Sequence, residues 1–160
     1  MVADGSLFGR YFQTAYVTRD LDAAMALFRA RHGDLNFKVL EGQPRPDGAP
    51  AAARRIALHY LGDVMVELIQ PSLEITTIYD DALPDDAGGV RLHHLGYLVE
   101  DHDRTLSRLT KLGYALPSVG SFGEALDYIY ADTRAEFGHF SEFIRLGPAG
   151  KAMFEAVPRS

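Results

Sequence analysis

Four polar side chains sit in stretches that otherwise read as β-strand: Gln13 in FQTAYV, Glu67 in VMVELIQP, His94 in LHHLGYLV and Glu142 in HFSEFI. One imidazole nitrogen, one amide oxygen and two carboxylates form a mixed nitrogen and oxygen donor set, suited to zinc, nickel, cobalt, manganese or iron(II). The chain has no cysteine, so a closed structural zinc site of the thiolate kind is not available and an open, reactive site is favoured. Taken singly, each residue has a plainer reading. Glu67 among Val64, Met65, Val66, Leu68 and Ile69 can face water from a half-exposed strand, and a strand glutamine is usually just hydrogen-bonded. A carboxylate kept inside a buried strand, however, costs several kcal/mol unless a cation or strong hydrogen bonds compensate it.

The four residues recur at matched places. QTAYVTRDLDAAMALF, from Gln13, aligns with HLGYLVEDHDRTLSRL, from His94, at an offset of 94 - 13 = 81, with Tyr16, Asp20 and Asp22 against Tyr97, Asp101 and Asp103. Each stretch reads strand, cap, helix. Asp20 and Asp101 are placed to N-cap, Leu21, Ala24, Leu27 and Phe28 form one apolar stripe and Leu106, Leu109 and Leu112 the other. Gly33, in a left-handed C-cap, and Gly113 are expected to end the helices.

Three strand candidates follow each helix: NFKVLE, RRIALHYL and DVMVELIQ, the last two joined by a tight turn at Gly62 and Asp63, and then YALPSVG, ALDYIYA and GHFSEFIRL, with a turn around Thr133 to Phe137. Glu67 and Glu142 fall at equivalent points of the two closing strands, 142 - 67 = 75 apart. The proline-rich loop EGQPRPDGAPAAA accounts for the difference between the two offsets. KAMFEAVP reads as a terminal strand. The expected organisation is one α+β domain over 1–160, made of βαβββ modules at 8–70 and 91–157 joined by a linker, 71–90, with room for one short helical turn. A pseudo-twofold relation between such modules would let the four side chains converge.

This pattern resembles the vicinal oxygen chelate superfamily, which includes glyoxalase I, methylmalonyl-CoA epimerase, extradiol dioxygenases and bleomycin-resistance proteins. The resemblance runs from about Phe12 to Ile144 and is carried by FQTAYVTRDLDAAMALF, VELIQP, LHHLGYLVED and DTRAEFGHFSEFI. It implies two βαβββ modules in a curved, partly open barrel-like mixed sheet, and metal ligands on the first and last strand of each module, here Gln13, Glu67, His94 and Glu142. It also implies homodimers. The ligand order resembles the animal type of glyoxalase I, whereas the surroundings of GGVRLHHLGYLVED resemble the epimerase and general glyoxalase-like branches.

The implied chemistry is removal of a proton next to a carbonyl, with one divalent metal stabilising the enediolate or enolate and Glu142, or secondly Glu67, acting as base, as in a metal-dependent isomerase, epimerase or lyase. A metal-free sequestering protein of the bleomycin-resistance type is the alternative. An extradiol dioxygenase is disfavoured, as is iron, because Gln13 stands where that facial triad needs a histidine.

Neighbouring residues have their own readings. His93 faces the opposite side of the strand from His94, and both the repeat and the family pattern select His94. Alternation turns His139 away from Glu142, toward a structural hydrogen bond. Glu41 reads as a solvated strand end, with a second base as the other possibility, and Arg134 reads as either a hairpin contact or a substrate-anion contact. His32, His59 and His102 have no partner pattern. Tyr11, Tyr16, Tyr97, Tyr128, Tyr130 and Phe140 can line an apolar pocket or belong to ordinary core.

Composition bounds the remaining classes. With 47% hydrophobic and 24% charged residues, the 160-residue chain is of the globular type. A net charge of -6 gives no long-range attraction to nucleic acid or an anionic membrane. MVADGSLFGR lacks the basic and apolar regions of a secretory leader, so a cytoplasmic protein acting on a small carbonyl compound is expected.

Overall fold

The computed structural model describes residues 6–160, and the leader reading of the N-terminus lies partly outside them. The chain divides into two compact units, a first comprising Thr14–His93 with Val157–Ser160 and a second comprising 6–13 with His94–Ala156. Among the described residues, eight strands belong to one mixed sheet, in the order β2-β3-β4-β1-β5-β8-β7-β6. The two βαβββ runs expected from the repeat are both present. Among the described residues no helix is long and apolar enough to cross a membrane.

The first unit takes the end of β1 (Arg10–Val17), then α1 (Leu21–His32), β2 (Lys38–Glu41), β3 (Ala53–Leu61) and β4 (Val64–Pro71). Asp20 is extended and its carboxylate accepts the Ala23 N–H at 3.0 Å, the N-cap geometry that satisfies an otherwise partnerless helix donor. The buried face of α1 consists of Leu21, Ala24, Met25 and Phe28, packed with Leu35 on Ala57, Val66 and Leu68. Leu27, expected in that stripe, is only half-buried, and Met25 takes its place. Gly33 ends the helix at positive φ, 92°, but its ψ of -166° is extended, so the cap is not the left-handed helical one expected. β3 and β4 form a hairpin closing Leu61 on Val64, with Gly62 at φ 59°, a left-handed conformation that favours glycine in so tight a turn. The connecting segment after β4 contains one 3-10 turn, Asp80–Ala82, and Tyr79 packs beside it on Ala15, Val17 and Ile69.

The second unit holds the start of β1, most of β5 (Arg91–Leu98), α2 (His102–Lys111), β6 (Ser118–Phe122), β7 (Leu126–Ala131), the one-turn α3 (Arg134–Phe137), β8 (Phe140–Leu146) and α4 (Pro148–Glu155). Asp101 repeats the Asp20 cap, accepting the Arg104 N–H at 2.9 Å. α2 buries Leu109 and Thr105, and the core joins Leu109, Ile129, Ala131 and Phe143, with Tyr97 and Leu106 packed against it. Leu112, expected in the stripe, is 63% exposed because the helix has already ended at Lys111. β6 begins at Ser118 and not at Tyr114, since Pro117 has no N–H for the ladder.

The expected terminal strand is a helix. Pro148 lies in the first turn of α4, where its fixed φ suits a helix start, and Lys151, Ala152, Met153 and Glu155 are all strong helix formers. Its Phe154 stacks on Phe12 at 5.7 Å.

Candidate metal centre

β5 and β8 run parallel, pairing His94 with Phe140, Gly96 with Glu142 and Leu98 with Ile144. Side chains alternate across a sheet. Tyr97 and Phe143 therefore point into the core beneath α2, while His94 and Glu142 stand together on the other face, one step apart along the strands. Nε2 of His94 lies 3.1 Å from Oε2 of Glu142. His94 is 0% exposed and Glu142 7%. On the neighbouring strand Tyr130 is in register with Glu142, and its ring meets the His94 imidazole edge-on at 5.1 Å and 89°. Tyr130 and Phe140 are themselves buried, so the donor pair sits in a largely apolar surround.

Gln13, 2% exposed, joins this pair from β1. Its Oε1 lies 2.7 Å from the point that a Cβ on Gly96 would occupy, and Gly96 is the residue paired with Glu142. Three of the four donors expected from the sequence thus gather around Gly96 within the second unit. Glu67 belongs to the first unit, where it is half-buried on β4 opposite Leu58, between the buried Val66 and Leu68. A nitrogen and a carboxylate oxygen 3.1 Å apart and shielded from water, with an amide oxygen nearby, are chemically suited to a divalent cation.

The remaining polar candidates resolve into structural partners. The His93 Nε2 is 2.9 Å from the Ile78 carbonyl, and its ring packs on Tyr79. His139 lies in the turn before β8, so strand alternation does not govern it, and its Nδ1 is 2.7 Å from the Phe140 carbonyl. His59 is buried between the Asn36 carbonyl and the Ser160 hydroxyl, His32 stacks on Phe28, and His102 pairs with Asp103. Glu41 is solvated and paired with Arg55, which also reaches Asp22. These contacts, that with Asp22 above all, raise the Arg55 pKa. Arg134 donates to Asp132 through Nε and Nη2, at 2.9 and 2.7 Å, and covers the Phe140 ring, which supports its role in the hairpin. The same guanidinium holds the Asp132 carboxyl below its ordinary value.

Of the aromatic candidates, Tyr130 and Phe140 face the donors and Tyr128 adjoins Tyr130. Tyr16 packs on Phe28 of α1, Tyr11 is substantially exposed, and Tyr97 lies on the core face, where burial raises its phenol pKa. Gly96 was not a site candidate from its residue type. The only signal is its spacing, two residues after His94 on the same strand face.

The family profile of the glyoxalase/bleomycin resistance protein/dioxygenase superfamily matches residues 12–131. The chain belongs to that superfamily. Among solved structures of the fold, methylmalonyl-CoA epimerase from Mycobacterium tuberculosis is 20% identical, covers 95% of this chain and 97% of its own, and superposes with a TM-score of 0.65. A hypothetical protein from Bacillus halodurans is 13% identical, with coverage of 86% and 94% and a TM-score of 0.62. A variant of Streptomyces coelicolor methylmalonyl-CoA epimerase in complex with 2-nitronate-propionyl-CoA is 16% identical, with coverage of 88% and 99% and a TM-score of 0.59. These likenesses establish the vicinal oxygen chelate fold. No curated protein matches the chain.

Proposed function

We propose that this superfamily member is a divalent-metal-dependent isomerase, epimerase or lyase of the glyoxalase-like kind, removing a proton next to a carbonyl group. The observation that carries the reading is the buried contact between Glu142 and His94, with Gln13 packed against the same stretch of β5. Glu67 is the proposed fourth ligand, because it occupies on β4 the place that Glu142 occupies on β8 in the sequence repeat. An ion held by these four residues, whether zinc, nickel, cobalt or manganese, would supply Lewis acidity to a substrate carbonyl oxygen and so acidify the adjacent C–H.

The protein's own groups do the rest. Glu142 is the proposed base, taking the proton from carbon onto a carboxylate oxygen. The buried Tyr130 and Phe140 beside it limit competition from water, and the edge contact with Tyr130 fixes the plane of the His94 ring. Return of the proton by Glu142 to a neighbouring carbon completes an isomerisation. Inversion at the same carbon calls for a second acid, the role proposed for Glu67. A small carbonyl compound is the proposed substrate, with acyl-CoA thioesters the first class to assay because the structural neighbours include epimerases named for one.

The test is exchange of the substrate's C–H proton with deuterium from solvent, followed by NMR. The metal-loaded wild type is expected to catalyse exchange, and Glu142→Gln to be slower by about 10²-fold or more, the usual scale for a general base. Exchange by Glu142→Gln at the wild-type rate with metal retained would move the base to Glu67. Tight binding of candidate ligands with no exchange in any of them would instead favour a sequestering protein.

A further inference from the structure

We infer that Gly96 is a positioning residue: its lack of a side chain is what admits Gln13 to the donor set. The inference rests on the proposed metal site and adds to it a residue that offers no donor atom.

The case is steric. Gly96 lies in the middle of β5, where glycine is disfavoured because it packs nothing and loses the most backbone freedom on folding. Its φ is not positive, so no special backbone conformation calls for glycine here. Three other glycines without positive φ are explained by the backbone of another segment lying where a Cβ would be: Gly42 against the Ala53 carbonyl, Gly147 against that of Glu124 and Gly150 against that of Ala125. At Gly96 the three nearest obstructing atoms all belong to side chains. A Cβ there would lie 2.7 Å from the Gln13 Oε1, 2.8 Å from the Gln13 Cβ and 3.2 Å from the Phe12 Cε1.

The amide of Gln13 therefore occupies the space a side chain at position 96 would fill, beside Glu142 in the parallel register and on the His94 side of the sheet. Phe12 is not free to yield, since it is buried and stacked on Phe154 of α4. The burden of any added methyl group falls on the Gln13 side chain. Because a torsion of Gln13 cannot move its own Cβ, alanine at 96 is expected to displace the whole Gln13 side chain, taking its oxygen away from the other donors, while His94 and Glu142 stay on their strands.

The experiment is a double-mutant cycle on metal affinity with chelator-stripped protein, using zinc and cobalt separately and calorimetric titration as the readout. Gly96→Ala is expected to weaken binding by about 10–100-fold, the range seen when residues that orient metal ligands are altered. Gln13→Gly is expected to weaken it to a similar degree, and Gly96→Ala with Gln13→Gly, which also removes the Cβ contact, no further than Gln13→Gly alone. Cobalt gives a second signature, because its visible absorption reports the ligand set: the spectra of Gly96→Ala and Gln13→Gly should resemble each other and differ from wild type.

Binding by Gly96→Ala at wild-type strength with an unchanged cobalt spectrum would overturn the inference while leaving the metal site intact. So would losses in the two single variants that add in full. Absence of metal binding in the wild type would overturn the site itself. If Gly96→Ala does not fold, Gly96→Ala with Gln13→Gly relieves the contact, and its recovery of a folded state with the metal affinity of Gln13→Gly gives the same answer.

Discussion

Replacing Glu142 by glutamine separates the cost of housing a carboxylate in this place from its use. Glu142 and His94 are nearly withdrawn from water, and their polar atoms are 3.1 Å apart. Withdrawing a charge costs several kcal/mol, and the attraction of a close partner repays that only where the geometry and the remaining hydrogen bonds are excellent. Glutamine keeps the shape and a polar oxygen while shedding the charge. Metal-free Glu142→Gln is thus expected to be between equal in stability to the wild type and about 2 kcal/mol more stable.

Metal reverses the order. At a free ion concentration about 100 times Kd, the wild type gains about 2.7 kcal/mol. In a chain of 160 residues each kcal/mol moves Tm by about 2–4 °C, which gives a rise of roughly 5–11 °C. If the substitution weakens binding about 100-fold, the same ion concentration contributes only RT ln 2, about 0.4 kcal/mol or roughly 1 °C. Calorimetric melting of chelator-treated protein, with and without zinc, nickel, cobalt or manganese, measures both quantities. Equal metal-induced shifts in the two proteins would refute the reasoning, as would metal-free Glu142→Gln melting well below the wild type, since the carboxylate would then be structural.

Phe143, fully buried beneath α2, should on replacement by alanine cost about 3–5 kcal/mol, measured by urea unfolding; a loss under about 1 kcal/mol would contradict the packing described. Asp127 accepts from Ser121 and, at 2.7 Å, from Arg145, and these two contacts in that order depress its pKa. A carboxylate depressed in the folded state adds stability above its ordinary value of 3.8 and loses that contribution as pH falls through the lower folded value. The acid limb of the stability profile should therefore be shallower in Asp127→Asn, and identical limbs would rule the contribution out.

Much of this architecture can be read from local sequence because the repeat supplies two independent statements of each element. Asp20 and Asp101 are equivalent in the alignment and adopt the same cap. His94 and Glu142 stand out as polar residues in apolar strands; strand alternation distinguishes His94 from His93, while His139 falls in the turn just before β8. The misread places have physical causes. KAMFEAVP is too short to separate a period of 2 from one of 3.6, and its helix is decided by Pro148 and by packing of Phe154 on a strand from the opposite end of the chain. Leu112 keeps the helical spacing of Leu106 and Leu109, but the helix stops one residue before it. The role of Gly96 depends on how closely β1 approaches β5, and nothing near position 96 in the sequence reports that distance.

Because β6, β7 and β8 pair antiparallel in succession while β5 pairs with β8 in parallel, the second unit contains contacts of two very different ranges. The two hairpin ladders close over short loops and form quickly. β5 can join them only by closing a loop that spans α2, β6 and β7, the kind of non-local step that dominates folding time. His94 and Glu142 lie on the two strands joined by that step, so they meet only when it is complete. A cation that needs both would find no site in the partly assembled chain, and its stabilisation is expected as slower unfolding of the finished protein, with little effect on how fast the chain reaches it.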